Sequence, residues 1–176
     1  MTSTIVPTEV DTLRPQRYTR ADLWLFLTIA AYFIMNGAQL WETAIMIPAW
    51  TQAPPASLIF FQGPYALDFK NFWIVVDSLH EVIFIVALVF NWRTHRRRPL
   101  LLLFLAHLGV RIWTLAYFVP TIMAFQQIPV EDQIIPQLVE RAAQWRSLNY
   151  LRVGLFFSLN IAMVFLFRYL PVKHEK

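Results

Sequence analysis

The feature that most constrains this chain is a charged triplet, Asp77, His80 and Glu81, inside the otherwise apolar run from Asn71 to Trp92. A run of that length crosses a bilayer, since a spanning helix needs about 20 mostly apolar residues. In a helix, positions 77, 80 and 81 stand at i, i+3 and i+4, which predicts two carboxylates and an imidazole on one face. An unpaired charge at mid-membrane costs roughly 2.5 to 3.5 kcal/mol on insertion scales, so that face requires an interior partner or a polar cavity. Other spans must supply it.

Composition agrees that other spans exist. With 57% hydrophobic and only 15% charged residues, the 176-residue chain is more apolar than an ordinary soluble domain. The expected fold class is an all-α integral membrane protein, a four-transmembrane up-down helix bundle. Its spans are expected at about 21–47, 71–92, 100–118 and 148–169, within a single domain 21–170 between polar tails 1–20 and 171–176. Pro48 starts a loop marked by Pro54-Pro55 and Gly63-Pro64, in which 58–61 is expected to dip into the interface. Pro120 is expected to end the third span. The segment after Pro136, with Leu138, Val139, Ala142 and Trp145 among Glu140, Arg141 and Arg146, reads as a short interfacial helix. The first 20 residues contain no apolar signal-peptide core. The absence of cysteine excludes disulfides and thiolate ligands.

Basic residues predict the orientation. Arg14, Arg17 and Arg20, the loop residues Arg93, Arg96, Arg97 and Arg98, and Arg168, Lys173 and Lys176 hold most of the Lys and Arg, against Lys70, Arg141 and Arg146 in the other two loops. The positive-inside rule then puts both termini in the cytoplasm, in a plasma (inner) membrane, with the loop arginines facing anionic lipid and no nucleic acid. His95 and His174 read as surface residues. Trp24 and Trp92 are expected at the inner interface, and Trp41, Trp50, Trp73 and Trp145 near the outer one. Gly37, Gly109 and Gly154 are expected to permit close helix approach.

All four spans contribute polar side chains to one layer. At a rise of ~1.5 Å per residue, Asp77, Glu81, Arg111 and His107 lie about 9 to 18 Å from the outer surface. Asn36, Gln39, Thr43 and Glu42 come from the first span, and Asn149, Arg152 and Asn160 from the fourth. One reading is a purely structural network, Arg111 with Asp77 or Glu81 and Arg152 with Glu42. The other is a polar pocket of the kind helix bundles build from facing helices. There His80, Glu81, His107, Arg111 and Arg152 are the candidate catalytic residues, and Asn36, Gln39, Glu42, Asp77, Asn149 and Asn160 the candidate substrate-binding ones. His80, His107 and either Glu81 or Glu42 also have the donor types of a two-histidine, one-carboxylate metal site, although paired Glu-x-x-His motifs are absent and arginine would repel a dication. The cofactor is left open between a non-haem metal ion and none. Without metal, the same groups suit proton transfer, a carboxylate or imidazole acting as base and arginine holding a developing enolate or phenolate.

A family likeness adds to this reading. Gly37-Ala38 running to Glu42 and Pro48, the second span near His80, Thr121 after Pro120, and above all RAAQWRSLNYLR from Arg141 to Arg152 resemble the anthrone-oxygenase-like family of small four-span membrane proteins, most without assigned function. The similarity is one of pattern and covers about residues 25 to 168. The basic loop and the Asp77, His80, Glu81 triplet are not shared features. The resemblance implies a four-helix membrane fold and, for some members, oxygenation of polycyclic anthrones to anthraquinones. A looser likeness, with no motif behind it, is to the sterol-isomerase and sigma-2-receptor group of small bundles that hold lipophilic ligands.

The expectation is a membrane-embedded oxygenase or oxidoreductase-like enzyme for a lipophilic aromatic or quinone-like compound. The alternative is a non-enzymatic small subunit or lipophile-binding protein. Partners are the lipid bilayer and a lipophilic small molecule, with a homo-oligomer or larger membrane complex left open.

Overall fold

The computed structural model describes residues 18–64, 66 and 69–169. Most of the two expected tails, including Arg14, Arg17, Lys173, His174 and Lys176, lies outside them. Four helices are long and apolar enough to span a membrane: α1 (Arg20–Thr51), α2 (Phe69–Asn91), α3 (Arg97–Gln126) and α4 (Pro136–Tyr169). They form a four-helix bundle in which α1 packs on α2 and α4, and α3 on α2 and α4. Many large apolar side chains face outward, among them Ile34, Leu102, Ile112 and Leu115. Contiguous apolar surface of this kind is foreign to soluble monomers and suits a hydrocarbon surround.

The start of α1 is encoded locally. The Thr19 hydroxyl accepts from the Asp22 N–H (3.0 Å), and the Asp22 carboxylate accepts from the Thr19 N–H (2.9 Å), a reciprocal cap. From there Leu25, Ile29, Tyr32 and Met35 recur at three to four residues and bury one stripe. The stripe meets Phe84, Leu100, Phe156 and Met163 in the larger apolar core. A second, aromatic core of Trp50, Leu58, Phe118, Phe125 and Trp145 closes the opposite end. Leu58 thus turns inward to the protein, whereas its neighbour Ile59 is exposed.

Two expected helix ends are overrun, by the same device. α1 continues through Pro48 to Thr51, and α3 through Pro120 to Gln126. A proline lacks the N–H, and its ring strikes the carbonyl four residues back. Ahead of each proline the helix widens into five π-helical residues, Glu42–Met46 and Thr114–Phe118. The N–H of Ile47 then reaches back five residues to the Glu42 carbonyl, and that of Val119 to the Thr114 carbonyl. The wider turn relieves the clash and lets the helix continue.

The expected interfacial helix and fourth span are also one element. No Gly or Pro separates Trp145 from Leu148, so α4 runs unbroken for 34 residues, about 51 Å, and outreaches a hydrocarbon core of about 30 Å.

The end carrying Thr19 and the α2–α3 turn is pinned by one pair. Arg96, grouped above with the surface arginines, is 1% exposed: its Nη1 lies 2.6 Å from Asp22, and its Nη2 donates to the Phe167 carbonyl at 3.4 Å. Asn91 donates to the Ala21 carbonyl beside it (3.1 Å). This guanidinium therefore joins α1, the α2–α3 turn and α4. Between it and the polar groups farther along, Leu25, Phe84, Leu100 and Met163, one from each helix, form a fully buried apolar layer.

One packing expectation fails. A Cβ added at Gly37, Gly109 or Gly154 would meet nothing within 4 Å, so these glycines permit no close approach. Trp50 and Trp145, expected near the outer interface, are core residues of the second, aromatic core, in mutual ring contact at 5.2 Å.

Candidate functional site

Arg111 on α3 is the hub of the polar layer. Its Nη2 donates to Asp77 Oδ1 at 2.5 Å, its Nε lies 3.4 Å from Glu81 Oε1, and its guanidinium stands 5.4 Å from the Phe156 ring centre. Both acids of the triplet therefore pair with this arginine, where the sequence left the choice open. The same Glu81 oxygen lies 2.7 Å from His107 Nε2, and His107 Nδ1 lies 2.5 Å from the Tyr32 hydroxyl. An ionised carboxylate only accepts, so Nε2 donates to Glu81, and Nδ1 forms the second hydrogen bond with the Tyr32 hydroxyl. The result is a continuous polar chain, Tyr32, His107, Glu81, Arg111, Asp77, crossing from α1 through α3 to α2.

Sequence reasoning missed Tyr32. It stands four residues before Asn36, on the same stripe as Gln39, and extending that stripe one turn would have found it. Tyr32→Phe strands Nδ1 of His107 in a dry site. We expect a loss of about 1 to 3 kcal/mol, read as a lower midpoint in a denaturing-detergent titration of the purified protein.

His80 does not share the face of its two acidic neighbours. It is 2% exposed and turned toward α1, its ring 4.3 Å from Tyr32 and 5.0 Å from His107, with no hydrogen-bond partner for either nitrogen. The offset between i+3 and i+4 positions is enough to separate an inward ring from carboxylates that face α3. The metal set His80, Glu81, His107 is therefore not assembled. Both nitrogens of His107 are engaged by Tyr32 and Glu81, and no three His, Cys, Asp or Glu among the described residues could hold a metal ion.

Above Arg111 lies a cavity of about 100 Å³. Its polar wall is Gln39, Glu42, Asp77, Thr114, Arg111 and Arg152, and its aromatic wall Trp73, Phe118, Trp145 and Phe156. Glu42 and Thr114 are the first residues of the two π segments, so the widened turns border the cavity, as π-bulges frequently do at functional sites. The deep wall is closed, with Gln39 at 3% exposure and Phe118 at 1%, whereas Asp77 on α2 and Val119 on α3 are 29% (side chain) and 37% exposed. The cavity thus opens between α2 and α3.

Arg152 is held ready at this cavity. Its Nη2 donates to Asn149 Oδ1 at 2.6 Å, Asn149 Nδ2 donates to Thr43 Oγ1 at 3.1 Å, and the guanidinium lies 4.4 Å over the Phe118 ring. The expected Glu42–Arg152 ion pair does not close among the described residues, although the two attract each other across the cavity. Of the remaining candidates, Gln39 lines the cavity, whereas Asn36 and Asn160 are buried with no side-chain hydrogen bond and lie outside its wall. The chain matches no protein-family profile, no curated protein and no solved structure.

Proposed function

We propose that the protein is a membrane-embedded enzyme of the oxygenase or oxidoreductase kind, with its termini in the cytoplasm of a plasma (inner) membrane. Its substrate is a neutral, lipophilic aromatic bearing an acidic phenol- or enol-type group. The observation that carries this reading is the open Glu42 and Arg152 pair facing each other across an aromatic-walled cavity. A neutral molecule that gives its proton to Glu42 leaves an anion for Arg152, so the site takes in no net charge, which a poorly hydrated interior would resist. The bound anion is electron-rich, and dioxygen is its oxidant. For an anthrone-type substrate the ring methylene loses two hydrogens and becomes a carbonyl carrying one oxygen atom, and the other oxygen leaves as water.

Size limits how the substrate sits. A cavity of about 150 Å³ takes benzene, so one of about 100 Å³ holds only the oxygen-bearing edge of a ring system. The rest lies in the opening between α2 and α3, where a membrane-dissolved molecule arrives from the side. Arg111, already paired with two carboxylates, sets the position of Asp77 at the rim.

The test is dioxygen uptake and anthraquinone formation from anthrone by the purified protein in mild detergent, corrected for spontaneous oxidation. Glu42→Gln and Arg152→Gln are each expected to lower the rate about 100-fold or more, the usual effect of losing a general base or an oxyanion partner. No rate above the spontaneous one, or equal rates in all three proteins, overturns the reading. A second reading, a non-enzymatic subunit or lipophile-binding protein, is favoured by the closed Asp22–Arg96 and Asp77–Arg111 pairs, which brace helices without offering a free group. It predicts co-purification with a larger membrane complex or a homo-oligomer, and no turnover.

A further inference from the structure

The four arginines between α2 and α3 are not equivalent. Arg96 is buried on Asp22, whereas Arg93, Arg97 and Arg98 are exposed and make no ion pair among the described residues. Asp22, at the same end, is already committed to Arg96 and to the helix cap. Two of the exposed three are tied to one feature. Arg93 closes the end of an apolar groove of about 610 Å³ along the last turns of α2, walled by Ile85, Leu88, Val89, Phe90 and Trp92. Arg97 stands 4.3 Å over the Trp92 ring, which holds its charge beside the same groove end.

We propose that this groove is a binding site for one anionic phospholipid, an acyl chain lying along Ile85 to Phe90 and the phosphate resting between Arg93 and Arg97. Three observations converge on that occupant. The wall is apolar over the length of α2 that lies inside the bilayer. Its single charged lining residue is a cation with no counterion among the described residues. Tryptophan marks the depth at which headgroups begin, and guanidinium pairs with phosphate through two parallel N–H donors. A zwitterionic lipid offers the same chain with no net charge, and free phosphate offers the charge without the chain, so neither matches the whole site. This site is separate from the cavity beside Arg152 and does not depend on the proposed reaction.

The test uses the whole chain in vesicles of phosphatidylcholine and phosphatidylglycerol mixed equally, with bromine on the acyl chains of one lipid or of the other. Bromine quenches tryptophan fluorescence on contact, and the Trp92→Phe variant isolates the Trp92 signal by difference. Brominated phosphatidylglycerol is expected to quench Trp92 with an apparent affinity about fivefold or more above brominated phosphatidylcholine, the scale of one cation near a membrane surface. The preference should fall toward unity in Arg93→Gln combined with Arg97→Gln and persist in Arg98→Gln, whose arginine lies outside the groove wall. Equal quenching by the two lipids in the unaltered chain overturns the proposal. So does a preference that survives the double substitution, or one that Arg98→Gln abolishes equally, since that would mark a diffuse basic surface. A preference removed by added inorganic phosphate at constant ionic strength would show an anion site with no lipid component, and would overturn it as well.

Discussion

Replacing Arg111 with alanine is expected to destabilise the bundle by about 3 to 5 kcal/mol, because it leaves Asp77 and Glu81 as uncompensated carboxylates in the membrane interior. The hub position makes this loss larger than the worth of any one contact. Arg111 touches both acids and stacks near Phe156, so the substitution removes the counter-charge of two groups at once. The same reasoning predicts rescue. Adding Asp77→Asn and Glu81→Gln to Arg111→Ala removes the stranded charge, and most of the loss should return, giving strong non-additivity in a denaturing-detergent titration. If the triple variant is as unstable as the single one, the cost lies in packing around the guanidinium and not in charge balance.

The second large effect is at the other end. Asp22→Ala leaves Arg96 buried with its carboxylate partner gone and removes half of the helix cap with Thr19. We expect a loss of about 3 kcal/mol or more from the buried guanidinium losing its carboxylate, plus roughly 1 kcal/mol from the cap. Asp22→Asn keeps one acceptor oxygen where the carboxylate used two, Oδ2 for the Thr19 N–H and Oδ1 for the guanidinium, and should recover part of the loss. The cavity beside Arg152 lies across the apolar layer from this pair. Ligand binding to the folded fraction should therefore stay near the unaltered value in both variants. An Asp22→Ala protein with unchanged stability would mean that the pair contributes nothing beyond the helices it joins.

Much of this architecture is legible in residue order, and the misreadings share physical causes. Apolar runs and the depth at which Asp77, Glu81, Arg111 and His107 recur are enough to give four spans and one polar layer, because cost in hydrocarbon confines charge to where partners exist. Pro48 and Pro120 mislead because proline forbids only the narrow α turn, and a π turn ahead of it is invisible to periodicity. Arg96 is hidden among three other arginines, since composition cannot say which member of a basic run turns inward. The helix wheel assigns His80 to the face of Glu81, yet one position of offset decides whether a ring points to α1 or a carboxylate to α3. Tyr32 reads as one more aromatic in an aromatic-rich chain, because only the approach of His107 across the bundle gives its hydroxyl a hydrogen-bond partner.

The apolar layer of Leu25, Phe84, Leu100 and Met163 bears on energetics as well as packing. It separates the polar layer around Arg111 and Arg152 from the Asp22–Arg96 brace at the other end. Under the proposed reaction, protons taken up and released at Glu42 would come from and return to one compartment. Turnover would be electrically silent, following the acidity of the side onto which the cavity opens and remaining indifferent to the voltage across the membrane.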